Sequence, residues 1–157
     1  MKTKEIIALI VCVAIPLTVG GISGFATASS VSDWFLTLNK PVFNPPSYLF
    51  SPVWTTLYIL MGISLFLIWR SPKGKKRNDA LMIFALQLLL NFAWSFFFFY
   101  FRQIGIALAD IIILWMLILA MIIMFYRVSK TAAWLQIPYI LWVSFATALN
   151  TGIWMLN

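Results

Sequence analysis

The sequence predicts an all-α integral membrane protein, a bundle of five transmembrane helices with a short amphipathic helix in its first loop. Of its 157 residues, 63% are hydrophobic and only 10% are charged. A soluble domain of this length is about a quarter charged, because its core needs a solvated cover. Five long apolar runs, joined by short polar connections, account for nearly the whole chain. We therefore expect one domain over residues 1–157, with lipid around it.

The five runs cover approximately residues 6–28, 52–69, 80–100, 104–126 and 132–155. Each is close to the roughly 20 helical residues that cross about 30 Å of hydrocarbon. No water is available there to the backbone, so each run should be a helix; none alternates as a barrel strand would. The first run exceeds the 7–15 apolar residues of a signal peptide, so we expect it to be retained.

The orientation follows from the basic residues, which concentrate on one side. Nine of them precede the first run or lie in the second and fourth loops: Lys2, Lys4, Arg70, Lys73, Lys75, Lys76, Arg77, Arg127 and Lys130. The first and third loops hold two, Lys40 and Arg102. Positively charged loops stay in the cytoplasm, so we expect a multi-pass cell-membrane protein with a cytoplasmic N-terminus. The first loop and the C-terminus then lie outside.

The first loop contains the predicted short helix. Ser32 and Asp33 are typical of a helix N-cap, and Trp34, Phe35 and Leu38 share one face at helical spacing. We expect this helix to lie over the outer mouth of the bundle.

Polar and aromatic side chains form stripes within three spans. Side chains four residues apart share a helix face, and polar groups inside a membrane usually face the bundle interior. The third span contributes Gln87, Asn91 and Ser95, bordered by Trp94; the fifth contributes Trp142, Ala146 and Asn150; the second contributes Trp54, Tyr58, Met61 and Gly62.

Two interpretations of these stripes remain open. Gln87, Asn91 and Asn150 are suited to interhelical hydrogen bonds, worth roughly 0.6–2 kcal/mol each. Alternatively, the three stripes enclose a cavity, since ligand pockets are mostly apolar and aromatic with a few placed polar groups.

Two features of other spans also allow two interpretations. Small residues recur every fourth position in the first span, and Gly20 and Gly24 make a GxxxG motif that suits either dimerisation or packing inside the bundle. Asp110 is the one acid well inside a span, and a proton relay or a structural role with Arg102 as partner would each account for it.

Several function classes are excluded by composition. The chain has no histidine and one cysteine, Cys12, which removes the common zinc sites and any Ser/His or Cys/His catalytic pair. The usual proximal ligand of haem iron is also missing. We expect neither a metal nor a cofactor. The net charge of +7 comes from loops beside apolar runs, so we expect a bilayer and not a nucleic acid as partner.

Three segments together resemble a known family. They are WFLTLNKPVFNPPSYLFSPVWTTLYILMG at 34–62, QLLLNFAWSFFFF at 87–99 and PYILWVSFATALN at 138–150. In this order they resemble the motifs of the TspO/MBR family, the tryptophan-rich sensory proteins related to the mitochondrial translocator protein, also called the peripheral benzodiazepine receptor. The resemblance covers essentially the whole chain.

The resemblance implies a five-helix bundle, often a homodimer, with a pocket opening toward the first loop. It implies binding of porphyrins such as protoporphyrin IX and of isoquinoline or benzodiazepine-type ligands. Trp54, Asn91, Trp142 and Ala146 match the pocket positions, with Trp34 in the covering loop. Trp54 and Trp142 also match the pair implicated in porphyrin breakdown. Cholesterol binding is not implied, because the final stretch TGIWMLN lacks the basic residue of the animal motif.

Three function classes follow: a receptor or sensor, a porphyrin-degrading enzyme that uses light through Trp54 and Trp142, and a transporter of tetrapyrroles or small amphiphiles. The residues expected to contact a planar hydrophobic ligand are Trp34, Trp54, Tyr58, Gln87, Asn91, Trp94, Trp142, Ala146 and Asn150. Loss of porphyrin absorbance on illumination would favour the enzyme, and accumulation in vesicles would favour the transporter. No paired inverted repeats with broken helices indicate alternating access.

Overall fold

The computed structural model describes residues 3–157 and is helical almost throughout. A 3₁₀ turn at Ser47–Leu49 precedes the third helix, and a π-helical turn at Phe96–Tyr100 follows the fourth. The α-helices are α1 (Thr3–Ser32), α2 (Trp34–Thr37), α3 (Phe50–Trp69), α4 (Lys75–Ser95), α5 (Ile104–Tyr126), α6 (Lys130–Trp134) and α7 (Ile137–Leu156).

Five helical segments of the described chain are long and apolar enough to cross a membrane. They are α1, α3 with its 3₁₀ turn, α4 with its π-helical turn, α5, and α6 together with α7. This confirms the predicted all-α, five-span membrane fold. The first and third spans extend beyond their predicted starts, because Thr3–Glu5 and Lys75–Asp79 add polar helical turns beyond the apolar run.

The helices pack as neighbouring pairs around a main core, with a second, smaller cluster of buried side chains beside α2. α1 lies along α3, α4 lies along α5, and α5 lies along α7. The core between them is built from side chains such as Met61, Ile118, Met121 and Val143, which are fully buried. α6 is held against α3 because the Ser64 hydroxyl donates a 2.7 Å hydrogen bond to the Ala132 carbonyl.

Two glycines allow the close approach of α1 and α3. A methyl group at Gly62 would overlap the backbone of Val13 on α1, and a methyl group at Gly20 would overlap the Tyr58 ring on α3. Gly20 of the GxxxG motif therefore packs inside the bundle. At Gly24 an added methyl group would meet nothing within 4 Å.

The fifth span is confirmed between Lys130 and Leu156, but it is not one continuous α-helix. A turn at Leu135 and Gln136 separates α6 from α7. Pro138 lies in the first turn of α7, where its missing N–H would have no helical partner in any case. A proline placed deeper in one continuous helix would break a backbone hydrogen bond and clash with the preceding turn.

The predicted N-cap position is confirmed at Asp33, directly before α2, but it carries no capping hydrogen bond, and Ser32 belongs to α1. α1 continues through Ser32, whose hydroxyl donates to the Ala28 and Ser29 carbonyls of its own helix. Asp33 makes no side-chain cap, because its backbone (φ −122°, ψ −82°) lacks the extended conformation that aims an N-cap oxygen at the next turn. The loop helix itself is present but has only four residues.

The packing of α1 on α3 gives a test of the fold. Replacing Gly62 by alanine should lower the free energy of unfolding by about 1–3 kcal/mol, because the neighbouring backbone of Val13 must move. Gly21→Ala, on α1 with open space beside it, is the matched control and should not destabilise. Unfolding in mixed detergent measures both. Equal stabilities of the two variants would contradict the packing.

Candidate functional site

A cavity of about 600 Å³ lies between α1, α3, α4 and α7 at the end of the bundle that carries α2. Its size falls within the range of small-molecule sites. Aromatic rings, small residues and hydroxyls form its wall, and no described residue that lines it is charged. The large side chains of the wall are Leu17, Phe25, Phe35, Phe50, Trp54, Tyr58, Trp94, Phe98, Phe99, Trp142, Leu149 and Ile153.

The predicted second and fifth spans bring their tryptophans to this cavity. Trp54 stacks on Tyr58, with ring centroids 5.5 Å apart, and Trp142 meets Phe50 edge-on at 5.9 Å. All four side chains line the cavity. The Trp142 indole nitrogen is buried and has no hydrogen-bond partner among the described residues. Trp54 and Asn150, which also line the cavity, have no buried side-chain polar atom that lacks a partner in the described structure.

Ala146 and Asn150 continue the wall along α7, and Trp94 completes it from α4. The Trp94 indole N–H donates a 3.1 Å hydrogen bond to Asn150 Oδ1, and Asn150 Nδ2 donates to the Ile104 carbonyl. Asn150 is only 1% exposed. Its amide therefore fixes the position of Trp94 and ties α7 to the start of α5.

The floor of the cavity is a buried polar network across three helices. The Tyr58 hydroxyl donates to Asn91 Oδ1 at 2.7 Å, Asn91 Nδ2 donates to the Tyr139 hydroxyl at 3.0 Å, and that hydroxyl donates to Gln87 Oε1 at 2.8 Å. Gln87 and Asn91 lie behind the wall, so the structure places both amides in the bundle interior and not on the cavity surface.

The roof is α2 with the π-helical turn. Phe35 of α2 is buried on Phe98 and Phe99, and Lys40 lies over the Phe35 ring at 4.8 Å. Trp34 does not line the cavity; it packs edge-on against Phe98 at 5.9 Å, beneath the Arg102 guanidinium. The loop after α2 is tied to the end of α7, because Asn39 and Asn157 exchange two hydrogen bonds of 3.0 and 2.9 Å.

Asp110 takes no part in this site. It is buried in α5, does not line the cavity, and makes no ion pair with Arg102 in the described part of the chain. Its Oδ2 atom has no hydrogen-bond partner there. The expectation that Arg102 pairs with it is therefore wrong, because Arg102, with a left-handed backbone (φ 57°), points its guanidinium at Trp34 instead.

The predicted site residues did not include phenylalanines of the wall such as Phe35, Phe50, Phe98 and Phe99, and two polar contributions were also missed. The first is the α1 wall, where Ser23 and Thr27 are buried and their hydroxyls donate to the carbonyls of Gly20 and Ser23. The recurring small residues of α1 were the available signal. The second is Tyr139, which joins Gln87 to Asn91; its place one turn before Trp142 could have indicated an inward-facing hydroxyl.

The floor network gives a test of its structural role. Asn91→Ala removes an acceptor from Tyr58 and a donor to Tyr139, so the free energy of unfolding should fall by about 1–3 kcal/mol. Asn78→Ala is the matched control, since Asn78 is exposed on the same helix. Unfolding in mixed detergent measures both variants. A loss no larger than that of the control would contradict the network.

Comparison with known proteins agrees with this architecture. Residues 12–155 match the TspO/MBR family. The chain is 41% identical to the tryptophan-rich protein TspO of Chlorobaculum tepidum over 98% of both chains. It is 39% identical to the human translocator protein over 79% of this chain and 75% of that protein. It is 34% identical to the tryptophan-rich sensory protein of Cereibacter sphaeroides over 80% of this chain and 77% of that one. The chain belongs to the TspO/MBR family of membrane proteins.

Proposed function

We propose that this chain is a receptor-type or sensor-type membrane protein that binds a flat, largely apolar ligand of the porphyrin or isoquinoline and benzodiazepine class in the cavity. The observation that carries the proposal is that Trp54 and Trp142 line one uncharged cavity of about 600 Å³. Indoles supply large flat surfaces for stacking. The relatives include proteins named translocator protein and tryptophan-rich sensory protein, and the second name is consistent with a sensor-type role.

The polar groups of the wall favour a ligand with a neutral body. Hydroxyls such as those of Thr27 and Thr55 donate to carbonyls of their own helices, and the Asn150 amide is occupied by Trp94 and Ile104. The buried Trp142 N–H is a donor that has no partner among the described residues. A ligand that offers one acceptor to this N–H would remove the cost of a buried unpaired group. Because the chain has no histidine, a metal-free porphyrin suits the cavity better than haem.

Binding can be tested with metal-free protoporphyrin IX and protein in nanodiscs. The double variant Trp54→Leu/Trp142→Leu should raise the Kd at least tenfold, because two stacking surfaces are lost. Porphyrin fluorescence anisotropy measures the Kd without relying on the tryptophans themselves.

The matched control is Trp134→Leu/Trp154→Leu. It also removes two indoles, which are 66% and 54% exposed and do not line the cavity. This variant should bind like the unsubstituted protein. If both double variants bind equally well, or if the unsubstituted protein shows no saturable binding, the proposal is wrong.

We also propose that the end carrying α2 faces away from the cytoplasm in the cell membrane. The opposite end holds Arg127, Lys130 and the basic residues between α3 and α4, whereas the α2 end holds Lys40 and Arg102. In whole cells of a Cys12→Ser background, a membrane-impermeant maleimide should label Ser29→Cys and spare Ser71→Cys. Labelling of the second position alone would reverse the orientation.

A further inference from the structure

The cavity is closed toward the floor and at the centre of the roof. Phe35, Phe98 and Ile153 at the α2 end are 5%, 2% and 1% exposed, so they separate the cavity from the aqueous side. Tyr58, held by its hydrogen bond to Asn91, closes the opposite end. A ligand cannot pass through the floor or the packed centre of the roof without displacing these side chains. At the α2 end the exposed lining residues Ser32 and Ser47 extend the open side of the wall to the rim.

One side of the wall is open. Gly21, Gly24 and Phe25 on α1 line the cavity and are at the same time exposed on the outside of the bundle. The same is true of Ser51 and Thr55 on the facing part of α3. Residues that belong both to a cavity wall and to the outer surface mark an opening, which here lies between α1 and α3.

The opening arises where α1 and α3 diverge. Gly62 and Gly20 hold the two helices in close contact below it, at Val13 and Tyr58 respectively. One turn beyond Gly20 this contact ends, since a methyl group at Gly24 would meet no described atom within 4 Å. Phe25, which is 89% exposed, stands at the rim.

The opening faces the bilayer. Gly24 lies 21 residues after Thr3, which is about 32 Å along a helix rising 1.5 Å per residue, and thus near the edge of the hydrocarbon layer. The rim on α3 carries the exposed hydroxyls of Ser51 and Thr55 within the first two turns. The inner part of the opening therefore meets acyl chains, and its outer part meets the headgroup level.

We propose that the ligand enters and leaves the cavity sideways from the bilayer, through this gap between α1 and α3. The inference rests on the proposed function for the identity of the ligand. It adds that the ligand reaches the cavity from the bilayer. The ligand class is a membrane-dissolved amphiphile whose flat apolar body passes between the helices. Any charged substituent stays at the headgroup level, because no lining residue described by the structure could neutralise it.

The opening can be tested without porphyrin, by labelling a thiol placed inside the cavity. Ala146 is 7% exposed and lines the cavity, so Ala146→Cys in a Cys12→Ser background reports access to it. N-(1-pyrenyl)maleimide dissolved in the bilayer should label this thiol readily, and a charged, water-soluble maleimide should not. Adding Gly21→Leu and Gly24→Leu should slow pyrene labelling at least tenfold, because two isobutyl groups fill the gap.

The matched control is Ala14→Leu/Thr18→Leu, two exposed positions on α1 that do not line the cavity. It should leave the labelling rate unchanged. Thr55→Trp narrows the gap from α3 and should also slow labelling, which protects the test if the glycine variant folds poorly. Unchanged labelling in both gap variants, or faster labelling by the water-soluble reagent, would overturn the proposal.

A second measurement separates the two proposals. Stopped-flow mixing of protoporphyrin-loaded vesicles with protein in nanodiscs should show slower association and slower dissociation in the gap variants. If the unsubstituted protein binds no porphyrin, the proposed ligand is wrong, while the thiol labelling still decides whether the gap admits molecules from the bilayer.

Discussion

The structure depends on the requirement that polar groups inside a membrane be satisfied within the protein. Tyr58, Asn91, Tyr139 and Gln87 meet most of it together, through three hydrogen bonds that join α3, α4 and α7. Of their side-chain polar atoms, Gln87 Nε2 is left buried without a partner among the described residues. These hydrogen bonds hold α3, α4 and α7 at a fixed spacing in the middle of the bundle. Such bonds are individually modest in membranes, but each buried partner left alone would cost more than the bond contributes. The cavity begins directly above this layer, since Tyr58 belongs to both.

Along the pair formed by α1 and α3, the surroundings of each glycine show where the two helices touch and where they leave a cavity. Where glycine faces backbone or a fixed ring, at Gly62 and Gly20, the helices touch. Where glycine faces open space, at Gly21 and Gly24, the same helix becomes a cavity wall. A single run of small residues thus allows helix contact over one stretch and lines the open side of the cavity over the next. The uncharged wall and the gap between α1 and α3 are the two features on which the proposed entry of a ligand from the bilayer rests.

Much of this arrangement could be predicted from the sequence. Apolar runs near 20 residues fix the five spans, because the bilayer imposes one length on every helix. Four-residue spacing correctly grouped Trp142 with Ala146 and Asn150, and Trp54 with Tyr58, on inward faces. Spacing could not distinguish Asn91, whose amide is hydrogen-bonded to Tyr58 and Tyr139 behind the wall, from Asn150, which lines the cavity. The difference depends on where each side chain lies once the helices have packed, and the spacing along one helix does not show this.

The remaining differences come from backbone adjustments that periodicity does not record. The turn at Leu135 and Gln136 and the π-helical turn at Phe96–Tyr100 each shift the faces of the residues that follow. The second adjustment brings both Phe98 and Phe99 to the cavity, although an aromatic run of this kind carries no pattern that distinguishes them. Tyr139 was missed because its hydroxyl acts through partners on another helix.

The central claim is that a planar ligand occupies the space between Trp54 and Trp142 above the polar floor. An experimental structure of the protein with protoporphyrin IX, determined in nanodiscs, tests it most directly. The account predicts the macrocycle in contact with both indoles, with one acceptor at the Trp142 N–H and its substituents directed toward the gap beside Gly24. A macrocycle bound outside the bundle, for instance in the apolar groove formed by Ile15, Phe84 and Leu88, would contradict the account.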